Sequence, residues 1–260
     1  MKKEFAVLQQ CLKAAGNVAR RRLGKVTYDL KGRGNLVTQA DVACQKAILQ
    51  LIKKNFPTHD FLAEENGLKN TGSEWKWIID PIDGTTNFAH TTPHFSISVA
   101  LAHKNEIVLG GVYDVCMDEL FLARKGKGAT LNGKKIHVSR VKRLEDALLV
   151  TGFPYVREHR MPELLACFKN FILACHDIRR TGSAALDMCW VAAGRFDGYW
   201  EESLNPWDIS AGKLILEEAG GTVTDYQGKK WTDLHTFGAQ TLASNGTIHR
   251  QMCAIIKRSK

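Results

Sequence analysis

The sequence predicts an α+β chain of layered helices and sheets, and three observations carry that expectation. Two helical periodicities precede the first strand, a run of period-two and buried segments follows from residue 95, and strands and helices alternate from residue 161 onward. With 260 residues, 44% of them apolar, the chain suffices for one large domain or two small ones. No repeat, low-complexity tract or linker interrupts it, so residues 1–260 read as one folded unit with a loose seam near residue 150.

Phe5, Leu8, Leu12, Ala15, Ala19 and Leu23 recur at helical spacing over residues 4–23, and Gly24 is the stop signal. A Gly-rich loop over 31–35 precedes Thr38-Gln-Ala-Asp41, which opens a helix with the apolar stripe Cys44, Ala47, Ile48, Leu51, Ile52 and Phe56. Thr38 and Asp41 fit the cap and third helical positions, so capping alone accounts for Asp41. A short strand from Phe61 then ends in Glu64 and Glu65. Adjacent acids on an extended chain point to opposite sides, and Glu64 is the one assigned to a site.

The apolar strand Trp77–Ile79 runs into Asp80-Pro-Ile-Asp-Gly-Thr-Thr-Asn-Phe88. Two carboxylates three apart, followed by a turn that Pro81 and Gly84 force, present hard oxygen ligands of the kind magnesium takes, at the edge of a sheet. Amides around Gly84 and Thr85 can face a phosphate if a helix begins there. An Asp-x-x-Asp-Gly run alone is equally a common turn.

Beyond it, residues 96–101, 107–113, 119–123 and 130–138 form an antiparallel meander, with Asn132-Gly133 as a two-residue hairpin. His90 and His94 fall in the loop before it, where Pro93 argues against a helical metal pair. A helix over 161–175 and a strand over 178–181 lead to a helix over 182–194, begun by Gly-Ser. A strand over 196–200 is closed by Glu201 and Glu202. Asn205-Pro206-Trp207-Asp208 is a strong helix start, in which Asp208 complements the dipole, and Gly220-Gly221 ends that helix. A strand over 222–225 and a helix over 248–256 complete the chain.

No 18-residue apolar run exists, so no membrane span is expected, and the first residues lack a secretory pattern. The seven scattered cysteines form no metal or disulfide pattern and read as reduced thiols, which together imply a cytoplasmic protein. Net charge is +9, of which +7 falls within residues 1–33, nine Lys and Arg against Glu4 and Asp29. No aromatic residues interleave with these bases as a nucleic-acid stacking platform requires, so a solvated face that attracts anionic substrates is the preferred reading.

The longer string from Asp80 to Phe88 resembles the signature of the inositol monophosphatase family, magnesium-dependent, lithium-sensitive phosphomonoesterases. Asn35-Leu-Val-Thr-Gln-Ala-Asp41, Glu64-Glu65, Gly182-Ser-Ala-Ala185, Glu201, Trp207-Asp-Ile-Ser-Ala-Gly212 and Glu217-Glu-Ala-Gly-Gly221 extend the resemblance in family order over nearly the whole chain. It implies a layered α/β/α/β/α sugar-phosphatase-type fold, with a large mostly antiparallel sheet and a second mixed sheet, and a homodimer. It further implies that Glu64, Asp80 and the carbonyl of Ile82 hold one Mg2+, while Asp80, Asp83 and Asp208 hold a second. Thr85, hydrogen-bonded to Asp41, would orient and help deprotonate the attacking water, with Glu64 in the catalytic set. Amides of Gly84 and Thr85 would hold phosphate oxygens, and Asp83, Gly182, Ser183, Ala184 and Glu201 would meet the alcohol's hydroxyls. Two positions depart from the family pattern. Ala63 replaces a glycine, and Asn35, preceded by Gly34, stands where Asp is frequent, which removes a charge that a third, weaker metal would use.

The resemblance implies hydrolysis of a myo-inositol monophosphate. Sister activities are a fructose-1,6-bisphosphatase or dual sugar phosphatase, a nucleotide 3'-phosphatase and a histidinol phosphatase, which tend to differ just after the Asp-Gly. A reading of another class uses the basic amino-terminal region for RNA polymerase or RNA contacts, as in transcription-associated members of the family.

Overall fold

A computed structural model of the chain describes residues 1–25, 28–32, 35–65, 67–156, 158–231 and 233–259. The elements run α1 (Lys2–Arg22), β1 (Tyr28–Gly32), β2 (Asn35–Thr38), α2 (Gln39–Asn55), β3 (Asp60–Ala63), β4 (Gly67–Lys69) and β5 (Trp75–Asp83). There follow α3 (Thr85–Ala89), β6 (Ser96–His103), β7 (Glu106–Asp114), β8 (Glu119–Arg124), β9 (Ala129–Leu131), β10 (Lys134–Lys135) and β11 (Leu148–Thr151). Then come α4 (Met161–Ile172), β12 (Asp177–Arg179), α5 (Ala184–Ala192), β13 (Gly198–Glu202), α6 (Pro206–Glu218), β14 (Thr222–Thr224), β15 (Gln240–Ser244) and α7 (His249–Arg258).

Eight strands form the large sheet in the order β10-β9-β8-β7-β6-β5-β3-β4, antiparallel except where β3 pairs with β5. Five form a second, mixed sheet in the order β12-β11-β13-β15-β14. Helices α1 and α2 cover one face of the large sheet, around a core that includes Leu8, Leu12, Ile48 and Trp77. Helices α5 and α6 lie against its other face and also touch the second sheet. The far face of the second sheet is closed by α4 and α7 around Phe171, Leu242 and Met252. The result is the α/β/α/β/α layering the resemblance implied.

Two adjacent glycines in β7 let helices approach from opposite faces. A Cβ on Gly110 would lie 2.8 Å from the carbonyl oxygen of Ala211 in α6, and one on Gly111 would lie 2.5 Å from Leu12 Cδ1 in α1. Alternation of side-chain direction along a strand assigns one glycine to each helix layer.

Several boundaries differ from the sequence reading. The Gly-rich segment expected as a loop contributes to the β1–β2 hairpin, in which local pairing outweighs the low strand propensity of glycine. Its tip, Arg33 and Gly34, lies outside the described residues, as do the side chain of Asn35 and Asn66. Strand β5 continues through Pro81 to Asp83, so the turn begins only at Gly84, and β5 is interior to the sheet, not at its edge. The hairpin at Asn132-Gly133, both at positive φ, pairs only two residues on each side before the chain leaves the sheet. Helix α4 stops at Ile172, α5 starts at Ala184, and Glu201 and Glu202 lie inside β13 because both still pair with β15. Strands β11 and β15 were not legible: β11 is four residues long, flanked by parallel partners, and lacks alternation.

His249 opens α7 as a buried neutral imidazole, its pKa pushed down from 6.5 to about 4 by burial. The Thr224 hydroxyl donates to the Asp225 carbonyl, so Nε2–H donates to Thr224 Oγ1 at 2.9 Å, and Nδ1 accepts from the Ser244 hydroxyl at 2.9 Å.

Two outcomes follow from this packing. Gly110→Ala lowers stability by about 1–3 kcal/mol, because the obstructing atom is backbone, whereas Gly111→Ala costs less because a leucine side chain can yield; thermal melts compare them. The unfolded chain takes up a proton at His249 that the folded chain refuses, so stability falls as pH drops from 6.5 toward about 4. Urea titrations should show that component disappear in His249→Gln.

Candidate active site

The site is built on an irregularity in β5. Asp80 pairs with Ser98 and Asp83 with Ser96, so three steps along β5 oppose two along β6, a one-residue bulge. In a regular strand residues three apart face opposite sides; the extra residue turns both carboxyls into one cleft. Pro81 sits in the bulge, where no ladder amide is required of it. Gly84 then takes φ +91° and α3 begins at Thr85.

The cleft is lined by Glu64 beyond β3, Asp80, Ile82 and Asp83 of β5, Gly84 and Thr85, Gly182 and Ala184 before and in α5, Glu201 of β13 and Asp208 of α6. Asp41 and Ser183 stand behind its wall, 0% and 1% exposed. The hydroxyl of Ser183 donates to Asp83 Oδ2 at 2.5 Å, so its segment reaches the cleft through Gly182 and Ala184. Glu201 lies across Gly152, where a Cβ would stand 2.0 Å from Oε2.

One oxygen of each cleft aspartate is pinned by a donor. Asp80 Oδ1 accepts the Ile82 amide at 3.0 Å, Asp83 Oδ2 the Ala185 amide at 2.8 Å, and Asp208 Oδ2 the Asn205 amide at 2.6 Å. The second oxygen of each has no hydrogen bond among the described residues. Asp41 reaches two partners at once: Oδ2 accepts the Thr38 amide and hydroxyl at 2.8 and 2.6 Å, as a cap does, while Oδ1 lies 3.1 Å from Thr85 Oγ1. The Thr85 hydroxyl is also 2.9 Å from the Ile82 carbonyl, and its single proton serves one of the two at a time.

Burial and mutual repulsion raise the acids' pKa values. Asp80 is pushed well above the usual carboxylate range, first by burial, then by Glu64, Asp83 and Asp208. Asp208 is likewise raised well above that range, by burial and by Asp83, Glu64 and Glu201. Burial brings Asp83 up to about 6 despite its hydrogen bonds, and brings Glu201 up to about 8 with help from Asp187 and Asp83.

Among the described residues no three acids, histidines or cysteines stand at metal-holding spacing. The donor set nonetheless suits a hard divalent cation. It consists of carboxylate and carbonyl oxygens, each aspartate oriented by a backbone amide, with no thiol or imidazole among the described lining residues.

The inositol monophosphatase family model matches residues 1–260. The chain belongs to the inositol monophosphatase family. It is 44% identical over 218 residues to Nus factor SuhB of Pasteurella multocida, covering 82% of each chain. It is 43% identical over 234 residues to the chloroplastic phosphatase IMPL1 of Arabidopsis thaliana, covering 87% of this chain and 62% of the relative. The solved inositol monophosphatase of Anabaena superposes with a TM-score of 0.89 at 39% identity, over 99% of this chain and 96% of that one. The protein is thus a phosphatase of the inositol monophosphatase superfamily, whose members generally use divalent metal ions.

Sequence reasoning missed part of the wall. Phe153, Pro154 and Tyr155 form one lip and Arg180 another. His94, read as a plain loop residue, stacks edge-on against Trp190 with Nε2 3.8 Å from Asp187 Oδ1, behind the Ser183 segment. The Arg180-Thr-Gly-Ser183 string carried the only local signal, since Gly182 at φ +93° marks a forced turn.

In this member of the family the acidic cleft opposes stability at neutral pH. Asp208→Asn keeps an oxygen for the Asn205 amide and removes one charge, so the metal-free variant melts higher at pH 7, by roughly 2–4 °C per kcal/mol relieved. A carboxyl with a raised folded pKa stabilises the fold below its unfolded value of 3.8 and loses that contribution as pH rises. The gain therefore shrinks toward pH 4, and a melt lowered at both pH values would contradict the repulsion account.

Proposed function

We propose that the protein hydrolyses a phosphate monoester with Mg2+, releasing myo-inositol and phosphate from a myo-inositol monophosphate, and that it works in the cytoplasm as a lithium-sensitive homodimer of single 1–260 domains. The observation that carries this reading is the bulged end of β5, which faces Asp80 and Asp83 into the cleft lined by Glu64, Glu201 and Asp208.

In this reading Glu64, Asp80 and the Ile82 carbonyl hold one magnesium, and Asp80, Asp83 and Asp208 hold another. When bound, the cations neutralise phosphate charge and lower the pKa of a neighbouring water for in-line attack. Thr85 Oγ1 accepts a hydrogen bond from that water while its own proton turns toward Asp41 Oδ1, 3.1 Å away. Asp41 is kept in place by Thr38, and its burial raises its pKa, which favours holding a proton there. Amides of Gly84 and Thr85 meet the phosphate oxygens. Asp83, Gly182, Ala184 and Glu201 face the alcohol half, and Ser183 braces Asp83 from behind. With a pKa near 8, Glu201 carries a proton at neutral pH and donates to a substrate hydroxyl.

A second reading draws support from the relative named Nus factor SuhB, a contact with the transcription machinery through the basic first helix. Arg20 is already engaged, donating to the Tyr113 hydroxyl at 3.0 Å and the Val115 carbonyl at 2.9 Å, and Lys13 pairs with Asp118 at 2.9 Å. Arg21 and Arg22 are exposed for such a contact, Arg21 donating only within its own helix, to the Asn17 carbonyl at 3.1 Å.

Phosphate release from inositol 1-phosphate, fructose 1,6-bisphosphate and adenosine 3',5'-bisphosphate, with and without magnesium, tests the first reading. Turnover of inositol 1-phosphate should require magnesium and fall more than about 100-fold in Asp83→Asn, since losing outer-shell partners alone costs 10–100-fold. Turnover chiefly of another ester moves the substrate and keeps the chemistry; no turnover by folded protein ends the enzymatic reading. Salt-sensitive capture of RNA polymerase that disappears in Arg21→Glu/Arg22→Glu would establish the second.

A further inference from the structure

Two walls of the cleft meet along a seam between the end of β5 with α3, residues 83–87, and the segment that runs from β12 into α5, residues 180–185. They are joined at Asp83, Gly84 and Asn87. Asp83 Oδ2 accepts the Ser183 hydroxyl at 2.5 Å and the Ala185 amide at 2.8 Å. Gly84 packs against backbone, where a Cβ would stand 3.0 Å from the Gly182 carbonyl oxygen. At the far end Asn87 Nδ2 donates to the Thr181 carbonyl at 2.8 Å and to the His94 carbonyl at 2.7 Å.

Asp83, Gly84 and Gly182 line the cleft, whereas Asn87 is not among its described lining residues. The amide nitrogen carries two hydrogens, so each carbonyl takes one and neither has to share. The backbone carbonyl of Asn87 accepts the Thr92 amide at 2.8 Å, so the same residue closes the loop from α3 to His94. Gly182, at φ +93°, has no side chain to fix its direction, and a Cβ there would stand 3.2 Å from Asn87 Nδ2. The conformation at Thr181 and Gly182 is therefore held from outside the segment. Without the Asn87 amide, two partly buried carbonyl oxygens that converge on one nitrogen are left facing each other with no donor between them. The glycine end of the segment then swings away, while Asp83 still grips Ser183 and Ala185.

We propose that Asn87 is a positioning residue whose amide sets where Gly182 stands against the alcohol half of the substrate, so that preference among alcohols depends on a side chain outside the cleft. This rests on the phosphatase reading above and adds to it a determinant of specificity.

The test compares kcat/KM for inositol 1-phosphate and for phenyl phosphate, whose alcohol half carries no further hydroxyl, with magnesium, in the wild type and Asn87→Ala. The wild type favours inositol 1-phosphate, and the ratio falls roughly 10- to 100-fold in Asn87→Ala, chiefly through KM for the inositol ester, as a small misplacement of a binding wall produces. Phenyl phosphate turnover changes little and reports that the variant is folded. Should Asn87→Ala fail to melt cooperatively, Asn87→Ser, which keeps a hydroxyl donor, is read by the same ratio. A wild type without preference, or a ratio that the variant leaves unchanged, overturns the proposal and leaves the phosphatase reading standing. An equal fall on both esters also overturns it, assigning Asn87 to the shape of the 83–87 loop alone. No turnover of either ester by the folded wild type overturns both.

Discussion

The one-residue bulge near the end of β5 is the constraint on which the site depends. Asp80 and Asp83 belong to an interior strand with neighbours on both sides, and period-two geometry would send them to opposite faces of the sheet. The bulge restores a common direction, and Pro81 occupies it without leaving an amide unpaired. Gly84 at φ +91° then reverses the chain within one residue, which brings Thr85 back beneath Ile82. Strand, bulge and short helix together put two carboxyls, a carbonyl and a hydroxyl around one volume.

The remaining acid of the aspartate set arrives through helix packing. Asp208 stands in the first turn of α6, and α6 rests on the large sheet where Gly110 admits the Ala211 carbonyl. The depth of that contact sets how far Asp208 stands from Asp80 and Asp83. Burying these acids together is costly, since each raises the pKa of the others. The fold offsets that cost in part by giving each aspartate one backbone donor, which also fixes its rotamer and leaves the second oxygen for the cleft. Preorganisation and electrostatic strain thus have one origin.

A second layer governs the wall that, in the proposed reading, faces the alcohol. Ser183 and Ala185 hold Asp83, Gly182 gives way to Arg180, and Gly152 gives way to Glu201. In the proposed reading the metal-facing and alcohol-facing walls meet at Asp83, so a change in the 180–183 segment would transmit to both and couple specificity to metal geometry through that one carboxyl.

Much was legible locally. Helix periodicity located α1 and α2, the capping pairs Thr38/Asp41 and Asn205/Asp208 marked two helix starts, and the Asp80–Phe88 string with its companions pointed to the family. These signals survive in sequence because they arise between residues a few positions apart. The run through Asp80 and Asp83 looked like a turn, because a bulge is visible only against the partner strand that it fails to match. Strands β11 and β15 escaped because buried strands flanked by others carry no alternation, and the place of Arg180 in the cleft wall escaped because nothing local distinguishes a wall arginine from a solvated one. The sequence by itself determined which residues cap, turn and carry charge. Only the tertiary structure decided which carboxyls share a volume, because register, bulge and helix depth are set by contacts between elements far apart in the chain.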